Sequence, residues 1–273
     1  VMQGKKERVY ILKSKICGRC STVHEIDRCR REAESCEEQQ KMLEAMRKNL
    51  EKAQSMISKR ENWLGNGYEE LRAELDYLMG EYYFKMSQYY GENRRYNHEK
   101  EIKKEEEKSY ADSQELYEKA LEYYNKYPDR FWIERAGVMR SLADVYCQKA
   151  KEIGKQKAAE QKYCPSGKGM GEQKTEEQEH CKEKAYKMLI EAYVLYRSNS
   201  DLYGIADVLQ SMGHLDGFMK RREGIRSPVC FYKAAKNFYD YLNDEWSSFV
   251  VSGFLESADG DEKRAAGSVR VKK

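Results

Sequence analysis

The stretch 185–244, AYKMLIEAYVLYRSNSDLYGIADVLQSMGHLDGFMKRREGIRSPVCFYKAAKNFYDYLND, contains two segments that end alike. Ala192 is followed by Tyr196 four residues on and by Asp201 nine residues on, and Ala235 by Tyr239 and Asp244 at the same spacings. Ala120, Tyr124 and Asp129 form a third copy upstream. Such self-similarity is the mark of a repeated unit that cannot bury its apolar face alone and stacks on its neighbours. The expected fold is therefore all-α, an α-solenoid of antiparallel helix hairpins, preceded by a long N-terminal helix.

The composition suits that expectation. Of the 273 residues, 36% are charged and 40% hydrophobic, which is more charged and less apolar than an average globular domain. A solenoid repeat buries one stripe and exposes the rest. Only three prolines interrupt the chain, so long helices are permitted. The 50 basic and 47 acidic residues are interspersed and leave a net charge of +3, whereas a nucleic-acid footprint needs a stripe of one sign. No direct nucleic-acid binding is expected. No apolar run reaches the length of a membrane span, and the start VMQGKKERVYILKSK lacks the apolar segment of a signal peptide. The start at Val1 leaves room for a leader or an upstream domain. Eight cysteines, mostly in helical patterns, favour a reducing, cytoplasmic setting.

Along the chain, 1–24 reads as an irregular basic segment. Residues 25–62 read as one long amphipathic helix, because Ile26, Cys29, Ala33, Cys36, Gln40, Leu43, Met46, Leu50, Ala53 and Ile57 recur at steps of three and four. Gly65-Asn66-Gly67 is a turn signal. The repeat domain then occupies 68–256, with inserted loops expected near 91–110 and 154–175, although the charge-rich connector 91–108 also reads as an extended helix. Asp112 with Glu115 matches a capping box, and Pro228 suits the first position of a helix. Residues 257–273 read as a disordered tail or a linker.

The helix pairs align on a pattern of small and large residues. First helices carry Met79-Gly80 with Tyr83, Leu142-Ala143 with Tyr146, and Met212-Gly213 with Asp216. Second helices carry Ser113, Tyr117, Ala120; Ala185, Leu189, Ala192; and Pro228, Tyr232, Ala235. This pattern resembles the tetratricopeptide repeat. The segment EAYVLYRSNSDLYGIADVLQSMG is similar to the tetratricopeptide arrays of bacterial signal-transduction ATPases and transcriptional regulators, through Glu191, Ala192, Leu195, Tyr196, Arg197, Asp201, Gly204, Ile205, Ala206, Leu209 and Gly213. About 25 residues match closely and 68–244 loosely. Asp216 stands where the family has an aromatic and Pro228 where it has a small residue. Gly80 to Ala120 spans 40 residues and Ala143 to Ala192 spans 49, against 22 from Gly213 to Ala235.

The chemistry-bearing residues have plainer readings. Cys17 and Cys20, followed by His24, Cys29 and Cys36, suggest zinc, but no second close pair follows, and Cys29 and Cys36 fall on the helix seam as small hydrophobes. Gly167-Lys168-Gly169-Met170-Gly171 lacks the order of a phosphate loop. His180 and Cys181 are sequence neighbours and point to different helix faces. No catalytic residues, metal or cofactor are expected, and the chain does not read as an enzyme.

The resemblance implies a groove lined by first-helix residues near the small positions. Those are Tyr77, Glu81 and Phe84, then Arg140 and Asp144, then Gln210, His214 and Phe218. Aromatic and charged side chains on one surface suit a peptide segment. The expected function is a non-catalytic scaffold for a protein or peptide partner. The alternative is the regulatory or sensor arm of a larger ATPase or transcriptional regulator.

Overall fold

The computed structural model describes residues 36–59, 67–93, 99–163, 168–216 and 228–270, and the side chains of some of these residues at helix ends are outside the description. All regular structure among the described residues is helical: α1 (Cys36–Ser58), α2 (Gly67–Asn93), α3 (Glu99–Lys126), α4 (Trp132–Tyr163), α5 (Lys168–Ser198), α6 (Leu202–Asp216), α7 (Pro228–Tyr241) and α8 (Glu245–Arg270). The all-α expectation therefore holds. The chain forms two compact units, one ending at Phe131 and the other beginning at Trp132.

In the first unit α1 and α3 both pack against α2. The seam of α1 buries Leu43, Leu50, Ala53 and Ile57, while Gln40 is exposed. Those four positions recur every three to seven residues, so they share one face. The earlier part of the seam, from Ile26 to Ala33, lies outside the described residues. Between α2 and α3, Gly80 lets the helices approach. A Cβ there would lie 2.7 Å from the ring of Tyr117, which has no exposed surface. The turn 127–131 ends the unit. Tyr123, Tyr124 and Tyr127 gather on Phe131 with ring centroids 5.5 to 6.3 Å away. Arg130 covers the same ring at 4.7 Å and reaches Glu70 of α2 at 2.7 Å.

In the second unit α4 packs on α5, α5 on α6, α6 on α7 and α7 on α8, with α4 also against α6. The repeated spacing seen in the sequence becomes a repeated turn. The amide of Asp201 donates to the Tyr196 carbonyl at 2.9 Å, and that of Ser200 to Arg197 at 3.2 Å. The amides of Asp244 and Asn243 donate to Tyr239 and Asp240 at 2.9 and 3.1 Å. These are two Schellman endings, with Ser200 and Asn243 in the left-handed region at φ of 57° and 54°. Each aspartate then caps the next helix, accepting from Gly204 N at 2.9 Å or from Ser247 N at 3.0 Å. One acid thus closes one helix and opens another. The third copy differs. Pro128 lies in its turn, Phe131 N donates to Tyr127 O at 3.2 Å, and α3 has already ended at Lys126.

The expectations about boundaries give way to longer helices. α3 begins at Glu99, so of the two readings of the connector near 91–110, loop or extended helix, most of it is helix. Asp112 is an interior residue of α3, not a cap, because the helix continues upstream with Glu106 and Ser109 buried. In the same way α4 and α5 extend through most of 154–175, and α8 continues to Arg270 where a tail was expected. Exposed turns of these helices carry ion pairs four residues apart, such as Lys103–Glu107 and Lys119–Glu115, that a charge-rich loop reading overlooks.

Candidate functional site

In the first unit the expected groove residues are partly core. Tyr77 is 4% exposed, and its ring stands 5.8 Å from that of Tyr117. The reason is register. Residues three apart on a helix are surface neighbours, so Tyr77 shares the face of Gly80 and turns toward α3. Glu81 is half-buried and accepts a hydrogen bond from the Tyr117 hydroxyl at 2.8 Å. Phe84 is also half-buried, edge-on to Tyr110 of α3 at 6.2 Å.

The second unit brings more of the expected residues together. Arg140 of α4 meets Asp207 of α6 at 3.3 Å, with their side chains 29% and 39% exposed. The buried Tyr239 of α7 donates to the other oxygen of Asp207 at 2.6 Å, and Gln210 lies 3.4 Å from the same hydroxyl. Burial, then the charge of Asp207, pushes the Tyr239 phenol far up, so it stays protonated as a donor. Arg140 and Gln210 belong to one polar cluster whose centre, Asp207, the sequence reading did not include. The cluster also rests on Tyr239, whose place in the repeated triplet was visible but whose hydroxyl was not assigned a partner.

One turn further along α6, His214 meets the hydroxyl of Tyr232 through Nδ1 at 3.0 Å. Its ring stands perpendicular to Phe254 of α8 at a centroid distance of 4.5 Å. Burial, then the neighbouring charge of Lys151, lowers the His214 imidazole to about 4, so it is neutral at pH 7. A Cβ on the preceding residue, Gly213, would lie 2.5 Å from the Tyr232 ring. Tyr117 over Gly80 and Tyr232 over Gly213 are thus the same device. Each ring covers a first-helix glycine, and each hydroxyl engages the residue after it. At the equivalent place in the α4–α5 pair Leu189 stands opposite Ala143 in the alignment and carries no hydroxyl. Asp144 is half-buried and acts on both Cys147 and Lys151 of its own helix. Phe218 lies outside the described residues.

Of the described cysteines, Cys147 and Cys181 are buried and Cys230 is exposed. Burial raises the thiols of Cys147 and Cys181, so neither is a thiolate at neutral pH. His180 is exposed while Cys181 is buried, so the two are not poised together. Among the described residues no group of three or more His, Cys, Asp or Glu could hold a metal ion. Cys17, Cys20, His24 and Cys29 lie outside them, as does the side chain of Cys36. No helix in the described residues is long and apolar enough to cross a membrane. No protein-family model, curated protein or solved structure matches this chain.

Proposed function

We propose that this chain is a non-catalytic scaffold built of tetratricopeptide-like helix hairpins, α2–α3, α4–α5 and α6–α7, and that it holds a peptide segment of a protein partner. The hairpin reading is supported by the glycines against which the second-helix tyrosines close, and by the fully buried Ala120, Ala192 and Ala235 that follow three residues after the large position. Small residues at these places let two helices approach, as they do in the repeat that the sequence resembles.

The binding reading rests on one observation. Arg140 reaches Asp207 from a neighbouring helix, and Asp207 and Gln210 both meet the hydroxyl of the buried Tyr239, which makes a half-exposed polar cluster anchored from beneath by that tyrosine. Side chains held in place before a partner arrives lose little freedom on binding. The cluster offers a partner a cation, a carboxylate and an amide on neighbouring helices. That variety suits hydrogen bonding to an extended or helical peptide better than it suits a single charged ligand.

The test is partner capture with the whole chain, followed by titration calorimetry on the partner recovered. The combined change Arg140→Ala and Gln210→Ala is expected to weaken binding by about 2 kcal/mol, as for an interface hot spot, with little change in melting temperature. Undiminished binding would remove the cluster from the interface. A large fall in stability would make it structural.

A further inference from the structure

We propose that the outer face of α8 pairs two copies of this chain, antiparallel, with Phe249 of each copy seated over Gly253 of the other. A glycine inside a helix weakens it, and this chain places such glycines where another side chain comes close. Among the described residues Gly80 lies under the Tyr117 ring, Gly91 under the Glu106 carboxylate, Gly154 under the Gln178 amide, Gly204 under the Tyr196 ring and Gly213 under the Tyr232 ring. Gly67 has open space, but it is the first residue of α2, where a glycine interrupts nothing. Gly253 is the exception. It lies inside α8, and a Cβ there would meet nothing within 4 Å. A ring arriving from a second copy gives this glycine the role that the others already have.

The same face carries the ring that is needed. Ser248 and Val251 are buried, and the Ser248 hydroxyl donates to Asp240 of α7, so they mark the side of α8 turned toward α7. Phe254 leans that way too, onto His214 and Tyr232. Phe249 and Gly253, one turn apart, lie on the opposite side. Phe249 stacks on Trp246 and still leaves 64% of its surface exposed. Residues 246–255, WSSFVVSGFL, form the longest uncharged run in a chain of which 36% of the residues are charged. A helix face without charges can be buried against another copy of itself without stranding an ion.

Both halves of the contact sit on one helix, so a two-fold axis completes them together. With Phe249 opposite Gly253 of the second copy, Trp246 falls opposite Glu256 and Glu245 opposite Ser257, so no acidic residue of this face meets another. A parallel pairing in register would set Phe249 on Phe249, and Glu245 and Glu256 each on its own copy. Charge therefore selects the antiparallel arrangement. The face runs for about three and a half turns of helix, which offers less than the roughly 1,600 Å² of a standard interface. The pair is accordingly reversible and depends on concentration.

Sedimentation velocity of the full chain tests this, at concentrations from about 1 to about 300 µM. The sedimenting species is expected to move from one chain toward two. Phe249→Ser removes the ring and should weaken association by about tenfold or more. Gly253→Leu should weaken it as much, because its side chain enters open space in the single chain but takes the place of the ring in the pair. Both positions are exposed, so circular dichroism should show both variants as helical as the parent. Val194→Ser changes an exposed apolar residue of α5 and should leave association unchanged. Mixing the two α8 variants decides the register. One contact then has its phenylalanine over a glycine, the other sets the introduced leucine against the introduced serine, and association should return. Four results would overturn the pairing. They are a single chain throughout the range, association undiminished in both α8 variants, a loss as large in Val194→Ser, and a mixture that associates no better than either variant alone.

Discussion

Gly213 and Gly253 both lie inside helices of the second unit, yet their surroundings oppose each other. A Cβ at Gly213 meets the Tyr232 ring at 2.5 Å, while one at Gly253 meets nothing within 4 Å. Alanine at Gly213 must therefore push a packed ring aside. Overpacking of that kind costs about 1–3 kcal/mol, which outweighs the gain of about 1 kcal/mol in helix propensity. At Gly253 only the propensity gain remains. Urea unfolding is expected to show Gly213→Ala destabilised and Gly253→Ala stabilised by about 0.5–1 kcal/mol. The same sign for both would contradict the ring contact. A second residue-scale outcome concerns Tyr239. Phenylalanine keeps its buried ring but removes the donor to Asp207, so Tyr239→Phe should cost about 1 kcal/mol by the same measurement. The small–large–small pattern was legible here, because the volumes are written in the residue names. The hydroxyl contacts were not, because they join residues such as Tyr239 and Asp207 that lie 32 positions apart.

At the scale of the element, the repeated triplet marks where helices stop and restart. Asp201 and Asp244 each donate a Schellman bond through the backbone amide and cap the following helix through the carboxylate. Asp201→Ala and Asp244→Ala are each expected to cost about 1 kcal/mol. Ser200 and Asn243 sit in the left-handed region, where glycine is free of strain, so Asn243→Gly should be neutral or slightly stabilising. Thermal melts followed by circular dichroism check both signs. Helix starts and stops with such local signals were readable. The upstream reach of α3 stayed open between helix and loop, since it depends on burial of Glu106 and Ser109, and the capping-box pattern at Asp112 is only a local competitor to that burial.

Across the whole molecule, the contacts divide at Phe131 and Trp132. Each side has its own buried set: Leu75, Leu78, Tyr117 and Tyr124 in the first, and Val138, Leu142, Leu189, Val208 and Val251 in the second. A piece carrying 36–131 and a piece carrying 132–270 should therefore each be helical by circular dichroism and each unfold cooperatively. A piece with no cooperative transition would show that its core depends on the other. Within the second unit, Ala192 has no exposed surface and Lys187 is exposed. Ala192→Leu should cost about 1–3 kcal/mol, against less than about 0.5 kcal/mol for Lys187→Ala.

Periodicity, turn chemistry and residue volume act over a few positions, and for that reason the sequence by itself determined the helical class, the repeated triplets that end at Asp201 and Asp244, and the tight places at Gly80 and Gly213. Whether a side chain at a given helix position meets a partner helix or water depends on which helix arrives beside it. That is why Tyr77, expected in a groove, is core, and why Asp207, Phe254 and the hydroxyl partners of Tyr239 and Tyr232 entered the account only with the tertiary structure. The same holds for the charge state of His214. Its ordinary value is a property of imidazole, but its fall to about 4 is made by burial among rings from two other helices and by an ammonium from a third.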